Sequence, residues 1–168
     1  MNEFKAKRFH VTHEDGIKAP ADQCFSLACP VEELKWIDKW QFDMIYSDSG
    51  KNENNCIFRE YMSGLFVLNL PELSTYWYTT LYDTESHRFH ALLIYGDRAT
   101  GKFEFEVKGE GKDYSIATWK LTYTALNDSG NNIADESLRD RMSGMLSFLA
   151  QSAKHYLEAG EMLKINRT

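Results

Sequence analysis

A thiol, a proline and two adjacent carboxyls stand close together in Cys29-Pro30-Val31-Glu32-Glu33 of the 168-residue chain. A thiol at the start of a helix ionises more easily than a free one, and the thiolate is the nucleophilic and metal-binding form. Two features oppose that chemistry here. Glu32 and Glu33 put negative charge into the same turn, and no His or Lys base stands at a readable position beside the cysteine. Cys29 is therefore expected to cap a helix. Cys24 and Cys56 have no stronger claim. With no CxxC pair and no histidine at zinc spacing, no metal site is expected.

The other ionisable groups are similarly short of a catalytic set. His10 and His13, like His87 and His90, are three apart, which on a strand sends the two rings to opposite faces. Glu104 and Glu106 alternate with Lys102 and Lys108 on what reads as the wet face of a strand. Arg59 and Glu60 differ, because neighbouring strand residues point opposite ways and Glu60 shares its parity with Phe58. Turned inward, Glu60 is a lone carboxyl in apolar surroundings with a raised pKa, suited to orienting or protonating a ligand. Tyr78, Tyr82, Tyr95 and Tyr123 could offer hydroxyls to the same space. No catalytic residue is assigned.

These groups need a framework. The chain length fits a single domain, residues 1–168, with a core and room for a pocket. Apolar residues are 43%, charged residues 26% and aromatic residues 14%, an aromatic share suited to lining a concave site. A formal charge of −6 argues against a nucleic-acid partner. No apolar run reaches the roughly 18 residues of a membrane span. Three cysteines without a secretion signal fit reduced thiols, and a cytoplasmic location is expected.

Period changes along the chain outline the elements. Residues 4–12 read as a strand, followed by a turn and a short helix over about residues 20–27 with Pro20 at its first position. A second short helix starts at Cys29 and Pro30. From Trp40 the period becomes two, with Trp40, Phe42, Met44 and Tyr46 on one face. After the turn "SDSGKNENN", the run "CIFREYM" resumes alternation and completes a hairpin. "TYWYTTLYD" and "RFHALLIYG" are expected to pair antiparallel around residues 84–87. "GKFEFEVKG" and "YSIATWKLTYTAL" each have one apolar face, and "NDSGNN" ends the β region. Leu138, Met142, Met145, Leu146, Leu149, Ala153, Tyr156 and Leu157 then recur at spacings of three and four, giving one long helix ended by Gly160.

This order, together with "IKAPADQCFSLACPVEELKWIDKW", "YSDSG", "CIF", "YWYTTLYD" and "TALNDSGN", resembles the START-like helix-grip superfamily (SRPBCC), in an uncharacterised polyketide-cyclase-like branch. The resemblance implies an α+β fold: a seven-stranded curved antiparallel sheet around a long C-terminal helix, with two short helices after the first strand. It also implies an apolar cavity between sheet and helix that binds or carries a small hydrophobic ligand such as a lipid or polyketide, without a cofactor. From the inward strand faces and the helix, the lining is expected to comprise Met44, Phe58, Glu60, Trp77, Thr79, Phe89, Phe103, Phe105, Trp119, Tyr123, Met142, Met145 and Leu149. A one-residue shift in parity would invert any strand's share. The alternative is a cyclase or aromatase using a polar residue of that cavity, such as Glu60. "GLFVLNLPEL", residues 64–73, is unusually apolar for a connection. It is expected to be a flap over the cavity mouth, or an interaction surface making a homodimer contact through Leu65, Phe66, Val67 and Leu68.

Overall fold

The alternating runs pair in the order that their one-sided faces require. In the computed structural model, which describes residues 3–165, seven strands form one open antiparallel sheet in the order β1-β7-β6-β5-β4-β3-β2. They are β1 (Arg8–Ile17), β2 (Phe42–Tyr46), β3 (Ile57–Glu60), β4 (Thr75–Asp83), β5 (Arg88–Tyr95), β6 (Ala99–Gly109) and β7 (Ser115–Ala125). Helices α1 (Ala21–Ser26) and α2 (Pro30–Trp36) follow β1, α3 (Ser63–Phe66) lies between β3 and β4, and α4 (Asp128–Ile133) precedes the long α5 (Leu138–Ala159).

The register explains the core. Phe105 lies opposite Trp119, Phe103 opposite Leu121 and Val107 opposite Ala117, and all six are buried. Lys102 and Lys108, at the alternate parity of β6, are exposed. Helix α5 lays Leu138, Met142, Met145, Leu146, Ala150 and Ala153 onto this face, and Gly160 ends it in the left-handed conformation at φ 77°, where a Cβ would be strained.

Several boundaries differ from the sequence reading. Strand β1 starts at Arg8 and continues through the expected turn to Ile17, because all of it pairs with β7. Pro20 is the N-cap of α1 rather than its first residue, whereas Cys29 and Pro30 take the cap and first positions of α2 as expected. Trp40 precedes β2, and a register shift between Met44 and Tyr46 leaves Tyr46 exposed. Helices α3 and α4 were not foreseen; each is too short for a 3.6-residue period to register.

Segment 64–73 is tucked into the molecule. Val67 is 0% exposed and Leu68 3%, so two of the four residues assigned to a homodimer contact belong to the chain's own core. The turn depends on Gly64, where a Cβ would collide with the backbone carbonyl oxygen of Leu73. Gly64→Ala is expected to cost roughly 1–3 kcal/mol, the usual range for forcing extra atoms into a packed site. An unchanged midpoint in denaturant unfolding would contradict this placement.

Candidate ligand-binding site

Helix α2 puts two carboxyls side by side and sends them in opposite directions. Glu32 accepts a hydrogen bond from Lys35 Nζ at 2.8 Å on the outside. Glu33 is three residues before Trp36 and four before Ile37, so it shares their face, and both are buried. The helix is pinned at both ends: Trp36 Nε1 donates to Leu27 O at 3.3 Å and Trp40 Nε1 to Pro30 O at 2.9 Å. Beyond α2, the C-terminal segment crosses at an Ile37–Leu163 bridge, and Ile165 N donates to Asp38 Oδ2 at 3.0 Å. The last of these bonds, helped by Lys164, holds the Asp38 carboxyl below its ordinary pKa.

Two small cavities of ≈ 30 Å³ each lie between the sheet and the helices, with room for about one or two waters. The first, where α1 and α2 meet α5, is walled by Cys24, Leu27, Trp36, Phe89, Phe105 and Trp119. The second, where α2 and α3 meet α5, is walled by Ile37, Trp40, Ser63, Phe66, Trp77 and Met145. Glu33, Phe103 and Leu149 line both. A wider hollow on the opposite sheet face is bordered by Arg8, His10, Lys102, Glu104 and several threonines, and lacks apolar walls of this kind.

Every residue named for the lining is buried or half-buried. Phe89, Phe103, Phe105, Trp119 and Leu149 border the first cavity, and Trp77, Phe103, Met145 and Leu149 the second. Met44, Phe58, Glu60, Thr79, Tyr123 and Met142 border neither. Their local partners show why. Phe58 stacks on Trp77 at a centroid separation of 5.5 Å. Thr79 Oγ1 donates to Asn52 Oδ1 at 2.7 Å, tying the 47–55 loop to the sheet, and Tyr123 OH donates to Gly130 O at 2.7 Å, holding α4.

Glu60 is 0% exposed, and both of its oxygens are occupied. Oε1 accepts from Trp77 Nε1 at 3.1 Å, and Oε2 from Met62 N at 2.5 Å and Ser63 N at 3.0 Å. It caps the start of α3 and fixes the indole of Trp77. Burial still raises its pKa, with these hydrogen bonds opposing the rise. Cys29, the opening candidate, is buried, and Asn52 N donates to its sulfur at 3.4 Å.

Glu33 was overlooked as a site residue. The residue as a whole is half-buried, but its Oε2 is sealed from solvent and has no hydrogen-bond partner. Burial pushes its pKa well above the usual carboxylate range, and nearby Glu60 adds to the rise. The face it shares with Trp36 and Ile37 was the available signal; its place in the first turn of α2 suggested only a favourable helix dipole.

A carboxyl whose pKa is raised by folding binds more protons in the native state than in the unfolded one, so stability falls as pH rises through that interval. The penalty from Glu33 is absent below its unfolded pKa of about 4.3 and is complete above its folded pKa. Glu33→Gln removes it. The variant is expected to melt higher than wild type at neutral pH and to lose less stability between pH 4 and 8. A wild-type profile parallel to that of the variant would contradict a desolvated Glu33.

No protein-family model matches the sequence, and no curated protein matches it. Solved structures do match its fold. A START superfamily protein from Mycobacterium smegmatis superposes with a TM-score of 0.65 at 14% identity, covering 89% of this chain and 97% of that one. The Zhui aromatase/cyclase from Streptomyces sp. R1128 gives 0.65 at 8% identity, covering 94% and 100%. Ginseng major latex-like protein 151 from Panax ginseng gives 0.65 at 17% identity, covering 92% and 97%. Such identities speak for architecture alone. With its seven antiparallel strands closed over a long C-terminal helix, the chain has the α+β helix-grip fold of the START-like (SRPBCC) proteins.

Proposed function

We propose that the chain, acting as one domain, binds or carries a small, largely apolar molecule in the space now divided between the two cavities. The observation that carries this reading is the shared wall: Phe103 and Leu149 each border both apolar chambers, as does Glu33. A shift of these two side chains would join the chambers. Met145, which borders the second, adds a flexible thioether that can re-pack. Because each chamber now holds only a water or two, ligand entry requires that rearrangement, and a compact ligand demands less of it than a long-chain lipid. The three unpaired cysteines suit a reducing compartment, consistent with a cytoplasmic site of action.

A second reading, catalysis of the cyclase or aromatase kind, gains support from Glu33 rather than Glu60. A general acid must reach its substrate with a free oxygen, and the oxygens of Glu60 are held by Met62, Ser63 and Trp77. The interaction-module reading is weakened by the burial of Val67 and Leu68.

An environment-sensitive apolar dye tests the cavity. Wild type is expected to bind it, and Leu149→Trp, filling the shared wall, to weaken binding at least about tenfold, a loss of ~1.4 kcal/mol. Leu149→Ala should lower stability by roughly 2 kcal/mol or more while tightening dye binding. Equal dye affinity in all three folded proteins would place the dye elsewhere and overturn the reading.

A further inference from the structure

Resting on the reading of the cavities as a ligand site, we infer that the ligand is a small organic amine whose cation lies between the Glu33 carboxyl and the surrounding aromatic walls. Three independent features of the site converge on positive charge. Glu33 Oε2 is sealed and unpartnered, and it belongs to a residue bordering both chambers. Five aromatic rings, those of Trp36, Phe89, Phe103, Phe105 and Trp119, border the first chamber with it, and their π faces attract cations most strongly where water is excluded. Among the described residues that line either chamber, none is Lys, Arg or His.

Among the described residues, the titratable groups found near Glu33 from neighbouring elements are acids or neutral donors. Glu60 approaches from the end of β3 and raises the Glu33 pKa, Cys24 of α1 borders the same cavity, and Tyr82 of β4 feels the Glu33 charge. Lys35, on the same helix, pairs with Glu32 on the outside. An anionic ligand would add repulsion, and a purely apolar one would leave the carboxyl without a partner. A cation supplies the missing counter-charge and hydrogen-bond donors at once.

The exchange balances by release of one proton. With Glu33 neutral in the empty site, an ammonium enters as R–NH₃⁺, the Glu33 O–H bond breaks, H⁺ leaves to solvent, and the resulting carboxylate accepts a hydrogen bond from the ammonium. Net charge in the cavity is zero before the exchange and zero after it.

Benzylamine, benzyl alcohol and toluene are matched probes of similar size, to be compared by calorimetry at pH 6 on wild type and Glu33→Gln, with thermal melts verifying that both are folded. Wild type is expected to bind benzylamine at least about tenfold more tightly than benzyl alcohol or toluene, from the ion pair and the cation–π contacts together. Repetition in buffers of different ionisation enthalpy should show proton release with benzylamine but not with toluene. In Glu33→Gln the preference and the proton release should both vanish while toluene still binds. If toluene binds but benzylamine has no advantage, or keeps it in Glu33→Gln, the amine inference is overturned and the cavity reading stands. If no probe binds, the cavity reading itself fails.

Discussion

One long helix is too narrow to cover the face of a seven-stranded sheet. Six inter-strand spacings of ~4.8 Å span about 29 Å, whereas a helix with its side chains is roughly 10 Å across. Helix α5 packs mainly along β1, β7 and α3, so the rest of the apolar face must be closed by the short helices. The seams between these pieces are where packing is incomplete. One cavity lies where α1 and α2 meet α5, the other where α2 and α3 meet it. Helix α2 stands between them, and a side chain on its inner face borders both.

That geometry gives two inward-facing glutamates different roles. Glu60 is expensive to bury, but the amides of Met62 and Ser63 and the Trp77 indole occupy its oxygens, so its burial is turned into a fixed start for α3. The Glu33 carboxyl meets the same desolvation with an unpartnered Oε2. A packed apolar residue at that position would be less costly. A protein that keeps an uncompensated acid beside an aromatic cavity accepts a stability penalty of the kind that functional sites commonly carry.

The sheet was legible because its strands advertise their faces. Phe103, Phe105 and Val107 alternate with charged residues, and Trp119, Leu121 and Tyr123 do so with polar ones, so parity could be read before pairing was known. The long helix was legible from its three–four spacing. Segment 64–73 gave no such signal, because its apolar residues lie in a short helix and turn folded inward, a geometry that depends on Gly64 lying against Leu73 and has no periodic signature. Which of the named side chains border open space, and which only pack, depends on where helices fail to meet. Phe103 and Leu149 border both cavities, whereas Met142 and Phe58 border neither. Glu60 lies inward with Phe58, but the hydrogen bonds that occupy its oxygens arise from a turn unseen in the sequence. Glu33 was masked by its neighbour: in an adjacent acidic pair at a helix start, the dipole accounts for both residues equally, and only the positions of Trp36 and Ile37 tell them apart.

The central claim is that the Glu33 carboxyl is desolvated and without a counter-charge in the empty protein. Carbon-13 NMR of side-chain carboxyls, with the Glu33 resonance assigned through its loss in Glu33→Gln, measures this directly as a function of pH. The account predicts a midpoint well above the ordinary glutamate value of about 4.3, with a drift in the Glu60 resonance over the same interval because the two acids are coupled. A Glu33 midpoint within the ordinary carboxylate range would contradict it.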